Sequence, residues 1–159
     1  MKSTQKKRRA KKKIKISIQD QSLKVMEGRR ILRSYPISSS RYGLGSEEGS
    51  MKTPLGEFKI GQKIGHDMPS GTIFKSRVAL TPDDPLPETD DWVTSRILWL
   101  DGLEEHNANT HDRFVYIHGT KHEDRIGTPD SHGCIRMRNE DVIDLFQLVD
   151  EGTTVVIRE

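Results

Sequence analysis

The sequence predicts a mainly β domain, a sandwich of β-sheets with one late α-helix at about 139–150. Three observations predict it. Apolar residues alternate with polar ones through much of the chain, turn residues recur between short runs, and helical spacing occurs once, near the C-terminal end. A chain of 159 residues is long enough for one domain around a single core.

Residues 1–13 stand apart from that pattern. Nine of the 26 Lys and Arg residues fall between Lys2 and Lys15, and no acid precedes Asp20. The remainder holds 17 basic against 24 acidic side chains, a balance of minus seven with histidines neutral. The arm has no apolar run to pack, so it is expected to be disordered, a solvated tail able to contact anionic surfaces. It could be the start of a signal peptide, but the following IKISIQDQSL alternates and turns polar, so no export signal is expected in this chain. Apolar stretches are only a few residues long, too short to cross a membrane. A single cysteine excludes an intrachain disulfide and a Cys-rich metal site.

The domain proper, 14–159, opens with Ile14, Ile16 and Ile18 alternating with polar residues, a half-buried strand. Ser22–Met26 and Arg30–Pro36 read as two strands around the turn signal Glu27-Gly28. The Ser- and Gly-rich run that follows Pro36 reads as a loop up to Gly56–Gly61, the next strand. Thr72–Leu80 reads as one strand. TPDDPLPETDD, with three prolines and five acids, is an exposed loop whose acids lack a cation-ligand pattern. Ser95–Leu100 and Arg113–Ile117 are strands, the second leading into His118. Asn139 is the expected helix cap, with Glu140 and Asp141 complementing the dipole. Val142, Ile143, Leu145, Phe146 and Val149 form the apolar face, Gly152 a stop, and Thr153–Arg158 a closing strand.

Two segments carry chemistry: Tyr116-Ile117-His118-Gly119-Thr120 and Ser131-His132-Gly133-Cys134-Ile135-Arg136. A free thiol ionises near pH 8.5, so a nucleophilic cysteine needs an imidazole beside it. His118 and His132 are the candidates. If the second segment is extended, His132, Cys134 and Arg136 share one side. Amides of Gly133 and Cys134 could then face a substrate oxyanion, and Arg136 could hold a carboxylate. Residue chemistry leaves three readings open here: a thiol nucleophile, a metal site of His118, His132 and Cys134, or buried structural groups. His66, His106, His111 and His122 sit in polar segments and read as surface residues. Trp99 reads as sheet packing. Trp92, Met51 and Met68 could line a groove or simply pack.

The strings IHGT and SHGCIRM closely resemble the signature of L,D-transpeptidase catalytic domains of the YkuD type. KTPLGEFKIG resembles that family's Thr-Pro-x-Gly-x-Phe segment. The stretch from Thr94 to Thr120 and the terminal DVIDLF…VDEGTTVVI are similar as well, so the resemblance covers residues 14–158. It implies a β-sandwich with a groove, Cys134 as nucleophile and His118 as its imidazole. It implies that the Gly119 carbonyl orients that ring, and that His132 and Gly133 form the corner beside the nucleophile. Ser131 and Arg136 match motif positions that support the site or contact substrate, and Tyr116 and Thr120 flank the pocket.

The implied reaction is attack of a Cys134 thiolate on the carbonyl between residues three and four of a peptidoglycan stem tetrapeptide. A thioester follows, resolved by an amine to form a cross-link. Water as acceptor would make a carboxypeptidase, and a groove without turnover a wall-peptide binding module. The resemblance implies no metal or other cofactor, and a periplasmic or cell-wall setting. No nucleic-acid partner is expected: the arm has neither interleaved aromatics nor a folded reader.

Overall fold

Alternation in the sequence becomes alternation between two faces of a sheet. The computed structural model describes residues 11–159. The basic arm of residues 1–10 lies outside them. The first strand, β1 (Lys12–Ser17), starts two residues inside the span read as arm. There Ile14 and Ile16 turn inward, and the flanking lysines keep their charges outward. It pairs antiparallel with β2 (Ser22–Glu27), which pairs with β3 (Arg30–Pro36), as the Glu27-Gly28 turn predicted. Gly28 takes φ +60° at that turn, which glycine tolerates without steric cost.

Downstream lie β4 (Gly56–Ile64), β5 (Ile73–Lys75), β6 (Val78–Ala79), β7 (Val93–Gly102), β8 (Tyr116–Gly119) and β9 (Ile135–Met137). Helix α1 (Asn139–Leu148) and β10 (Thr154–Arg158) complete the chain. Strand β10 enters between β1, to which it is parallel, and β4, to which it is antiparallel. The sheet then runs β4–β7–β8–β9. Thr94 of β7 pairs with Ile73 on one edge and Gly119 on the other, so the β5–β6 hairpin shares the edge used by β4.

The two ends of this path meet. Just past β3, Ser38 donates to the carbonyl of Arg136 in β9 at 3.0 Å and accepts from its N–H at 2.9 Å. The sheet thereby closes on itself around a core that includes Ile14, Val25, Phe58, Ile117, Ile135 and Val155, all fully buried. Each such side chain contributes on the order of 2 kcal/mol by leaving water. Helix α1 seals this core with Val142, Leu145 and Phe146, at the spacing that puts them on one face. A smaller cluster of Phe74, Ile97, Trp99 and Tyr116 covers the opposite face of β7 and β8.

Four expectations change in detail. The helix ends at Leu148, and its cap is Arg138. Asn139 lies inside the helix, and its side chain is bonded elsewhere. The span 72–80 is a hairpin, because Ser76 (φ +48°) and Arg77 (φ +67°) form a tight turn without the Gly or Asn that usually signals one. Residues 135–137 form a short strand, β9, one residue past the Gly133 corner, with Ile135 and Met137 in the main core and Arg136 on the other face. The Ser-rich run after Pro36 is a loop but a buried one: Ser38, Ser39, Ser40 and Thr53 are all within 3 % of full burial. Their hydroxyls and amides bond to neighbouring backbone and side chains, as with Ser40 N–H to Thr53 Oγ1 at 2.9 Å and Thr53 Oγ1 to the Gly133 carbonyl at 3.1 Å.

Candidate active site

Strands β8 and β9 are parallel, with Ile117 opposite Ile135 and His118 opposite Arg136. Both isoleucines point into the main core. Period-two alternation therefore sends Tyr116, His118 and Arg136 to the other face. Cys134 immediately precedes β9 and packs against the smaller cluster on that face. The thiol and the His118 imidazole thus stand on one face of two neighbouring strands, diagonally placed.

His118 is fully buried. Its Nδ1 lies 2.5 Å from the Gly119 carbonyl, an acceptor, so Nδ1 carries the proton. The other ring nitrogen, Nε2, is buried without a hydrogen-bond partner and is left as a base. Burial lowers the His118 pKa, offset in part by the nearby Asp91 carboxylate, so the ring rests neutral. Gly119 is needed for its size: an added Cβ would sit 2.6 Å from the Thr94 carbonyl oxygen.

Cys134 is partly accessible. The Tyr116 N–H donates to its sulfur at 3.3 Å, and the thiol donates to the Phe114 carbonyl at 3.4 Å. Burial pushes the thiol pKa up to about 12, against the Tyr116 N–H and the Arg136 and Arg113 guanidiniums, which favour the thiolate. The resting pair is therefore thiol and neutral imidazole rather than an ion pair. Phe114 holds φ +57°, a strained value for a bulky residue, and this turn aims its carbonyl at the sulfur.

The remaining predicted residues divide. Arg136 is buried, with Nη1 2.6 Å from Asp130 Oδ2 and Nη2 2.8 Å from Asp91 Oδ1. Its guanidinium is engaged by two carboxylates, so it acts on the site through its charge. Gly133 has φ +123°, so alternation does not run through the corner, and His132 does not share the side of Cys134 by that rule. His132 instead faces Asp91 at 3.5 Å and Arg41 at 3.3 Å. The Gly133 N–H donates to Ser131 Oγ at 3.2 Å, and that hydroxyl donates to the Cys134 carbonyl at 2.6 Å. Ser131 and Thr120 are fully buried, and the Ser131 hydroxyl bonds within its own loop. Tyr116 is nearly buried and accepts from Arg77 Nη1 at 3.0 Å.

Three residues escaped the sequence reading. Asp91, in the loop taken as solvated, dips inward and joins the site to its neighbours. Asn139, read as a cap, accepts from Thr94 Oγ1 and Ser95 Oγ at 2.6 and 2.5 Å and donates to the Thr120 carbonyl at 3.0 Å. It thereby ties the helix to β7 and to the segment after His118. Arg77 reaches in from the β5–β6 turn. None of the three carries a local sequence signal for its role. Among the described residues no group of His, Cys, Asp and Glu is arranged to hold a metal, so the three-ligand reading has no support in the geometry.

A closed, mainly β domain presenting one thiol and one buried imidazole on the same face is the class that fold and site define. The family model for the L,D-transpeptidase catalytic domain (YkuD) matches residues 11–157, and the chain belongs to that family. It is 30 % identical to the Bacillus subtilis protein YkuD over 144 residues, covering 91 % of this chain and 64 % of that protein. With B. subtilis YqjB it shares 34 % over 107 residues, 67 % of this chain and 52 % of the relative. The chain thus spans about half to two-thirds of the length of these curated relatives. Among solved structures, an L,D-transpeptidase from Xylanimonas cellulosilytica superposes with a TM-score of 0.62 at 21 % identity, covering 96 % of this chain and 63 % of that one. L,D-transpeptidase 3 from Mycobacterium tuberculosis, in complex with a faropenem-derived adduct, gives 0.59 at 21 %, covering 95 % and 61 %. At that identity these two likenesses bear on the fold.

Proposed function

We propose that this protein is a cysteine acyltransferase of the cell wall that cross-links peptidoglycan stem tetrapeptides, with Cys134 as nucleophile and His118 as base. The observation that carries this reading is the partnerless Nε2 of His118, buried on the face that bears the Cys134 sulfur. A buried nitrogen without a hydrogen bond is costly unless something is meant to occupy it. Here that is the thiol proton.

In the proposed reaction the Cys134 Sγ–H proton passes to His118 Nε2 as sulfur attacks the carbonyl between residues three and four. The carbonyl electron pair moves onto oxygen, giving a tetrahedral oxyanion held by amides of the Gly133–Cys134 corner. The Gly133 N–H gives up its long bond to Ser131 Oγ for this purpose. Collapse breaks the C–N bond, and the terminal D-residue leaves as an amine with the His118 proton. An acceptor amine then loses its proton to Nε2, attacks the thioester, and the thiol re-forms. The flanking charges act in opposite senses on each member of the pair: Arg136 favours the thiolate and opposes the imidazolium, and Asp91 does the reverse. The substrate places this chemistry in the periplasm or wall.

Incubating the protein with a defined tetrapeptide and weighing the products tests this reading. Cross-linked product with loss of the terminal residue is expected, and none with Cys134→Ser. Trimmed tripeptide alone would make water the acceptor and the protein an L,D-carboxypeptidase. Identical unreacted mixtures from both proteins would overturn the assignment. The M. tuberculosis relative holds a faropenem-derived adduct; a penem adduct on Cys134 of this chain is the corresponding expectation.

A further inference from the structure

A guanidinium stands beside the site without a carboxylate of its own. Arg77 occupies the tip of the β5–β6 hairpin at φ +67°, where glycine would be free of strain and an arginine costs about 1 kcal/mol. The half-buried side chain lies over two aromatic rings, 4.9 Å from the Trp99 centroid and 5.0 Å from that of Phe114. Nη1 donates to Tyr116 Oη at 3.0 Å. Among the described residues no Asp or Glu makes an ion pair with it, whereas the nearby Arg136 has two. Contact with the two rings and with the Tyr116 hydroxyl holds the group in place, and its remaining N–H groups are left for an anion.

Its placement relative to sulfur is set by Tyr116. The backbone N–H of that residue touches Cys134 Sγ, and its hydroxyl touches Arg77. Nucleophile and cation are thus joined through a single residue, the sulfur at its backbone and the guanidinium at its hydroxyl. We propose that Arg77 is the substrate-carboxylate site of this centre and selects acyl donors that are anionic beside the scissile bond. This rests on the acyl-donor reading above.

Two carboxylates of a tetrapeptide are candidates: the terminal one, and the side-chain one of a diamino acid at position three. Binding of three tetrapeptides to the Cys134→Ser protein separates them: the free acid, the terminal carboxamide and the side-chain carboxamide. Capping one of the two carboxylates is expected to weaken binding roughly tenfold or more. In Cys134→Ser combined with Arg77→Gln, which can still hydrogen-bond Tyr116, that difference should vanish. Arg77→Lys should restore part of it. Equal affinity for all three peptides, or the same capping penalty with Gln at position 77, would overturn the proposal. If the discrimination is present but the wild-type protein turns nothing over, the acyltransferase reading fails and the carboxylate site stands. If turnover occurs and is indifferent to capping, the reverse holds.

Discussion

The Oδ1 atom of Asp91 lies 2.8 Å from Nη2 of Arg136, an ion pair that ties the acidic loop to β9 two residues beyond Cys134. The geometry is that of close charges rather than of an aligned hydrogen bond, since Asp91 Oδ1 and Arg136 Nε have no hydrogen-bond partner. The same carboxylate biases both members of the thiol–imidazole pair. Loop, strand and site are thus electrostatically one unit.

Asp91→Asn removes one partner of a largely buried pair and leaves Arg136 with Asp130 alone. A loss of about 3 kcal/mol in unfolding free energy is expected, read by denaturant titration. A change within 0.5 kcal/mol would mean that the loop floats free of β9 in solution.

Folded stability should depend on His118 on the acid side. Burial depresses its pKa below that of the unfolded chain, so the unfolded state binds more protons once pH falls below about 6.5. Stability contributed by the neutral ring is complete above that value and declines as pH falls below it. His118→Gln should flatten this part of the profile, measured as Tm against pH.

The sulfur should titrate in the opposite sense. With its pKa raised to about 12, Cys134 holds its proton in the folded state where the unfolded thiol has already lost it. Iodoacetamide labelling of the folded protein should rise steadily with pH and show no plateau between pH 6 and 9. An early plateau would reveal a resting thiolate instead.

Gly119→Ala would bring a methyl group within 2.6 Å of Asn139 Oδ1 and of the Thr94 carbonyl. The second contact is backbone and cannot swing aside. About 2 kcal/mol of destabilisation is expected, together with a tilt of the His118 ring whose Nδ1 depends on that residue's carbonyl. A thermal melt and the tetrapeptide turnover assay would register the two effects separately.

Asn139→Asp keeps the acceptor used by Thr94 and Ser95 but forfeits the donor to the Thr120 carbonyl. It also sets a second carboxylate against Glu123, whose Oε2 accepts from both the backbone and side-chain nitrogens of Asn139. Stability should fall by about 2 kcal/mol at pH 7 and recover partly below pH 4, where carboxylates protonate.

Strands whose inward residues are strong β-formers were readable from period two alone, as at Ile14 and Ile16 or Leu23 and Val25. The helix was readable from Val142, Leu145 and Phe146. Cys134 and His118 stood out because their flanks are distinctive and only one thiol exists. What escaped was set by tertiary contacts without a local signature. Ser76-Arg77 turns the chain with positive φ at two non-glycine residues, so the hairpin looked like one strand. Asp91 is chemically no different from its exposed neighbours Asp83 and Asp84; only the fold brings Arg136 to it. The side chains of Ser38, Ser39 and Thr53 looked like loop solvent and proved to be internal hydrogen-bonding groups.

Strand β10 has a consequence for how the chain acquires its structure. It lies between β1 and β4, so each of these strands keeps one edge unpaired until β10, far along the chain from β1, is in place. Folding should therefore depend on slow, long-range closure, and exposed strand edges make the interval before closure its period of greatest vulnerability to aggregation.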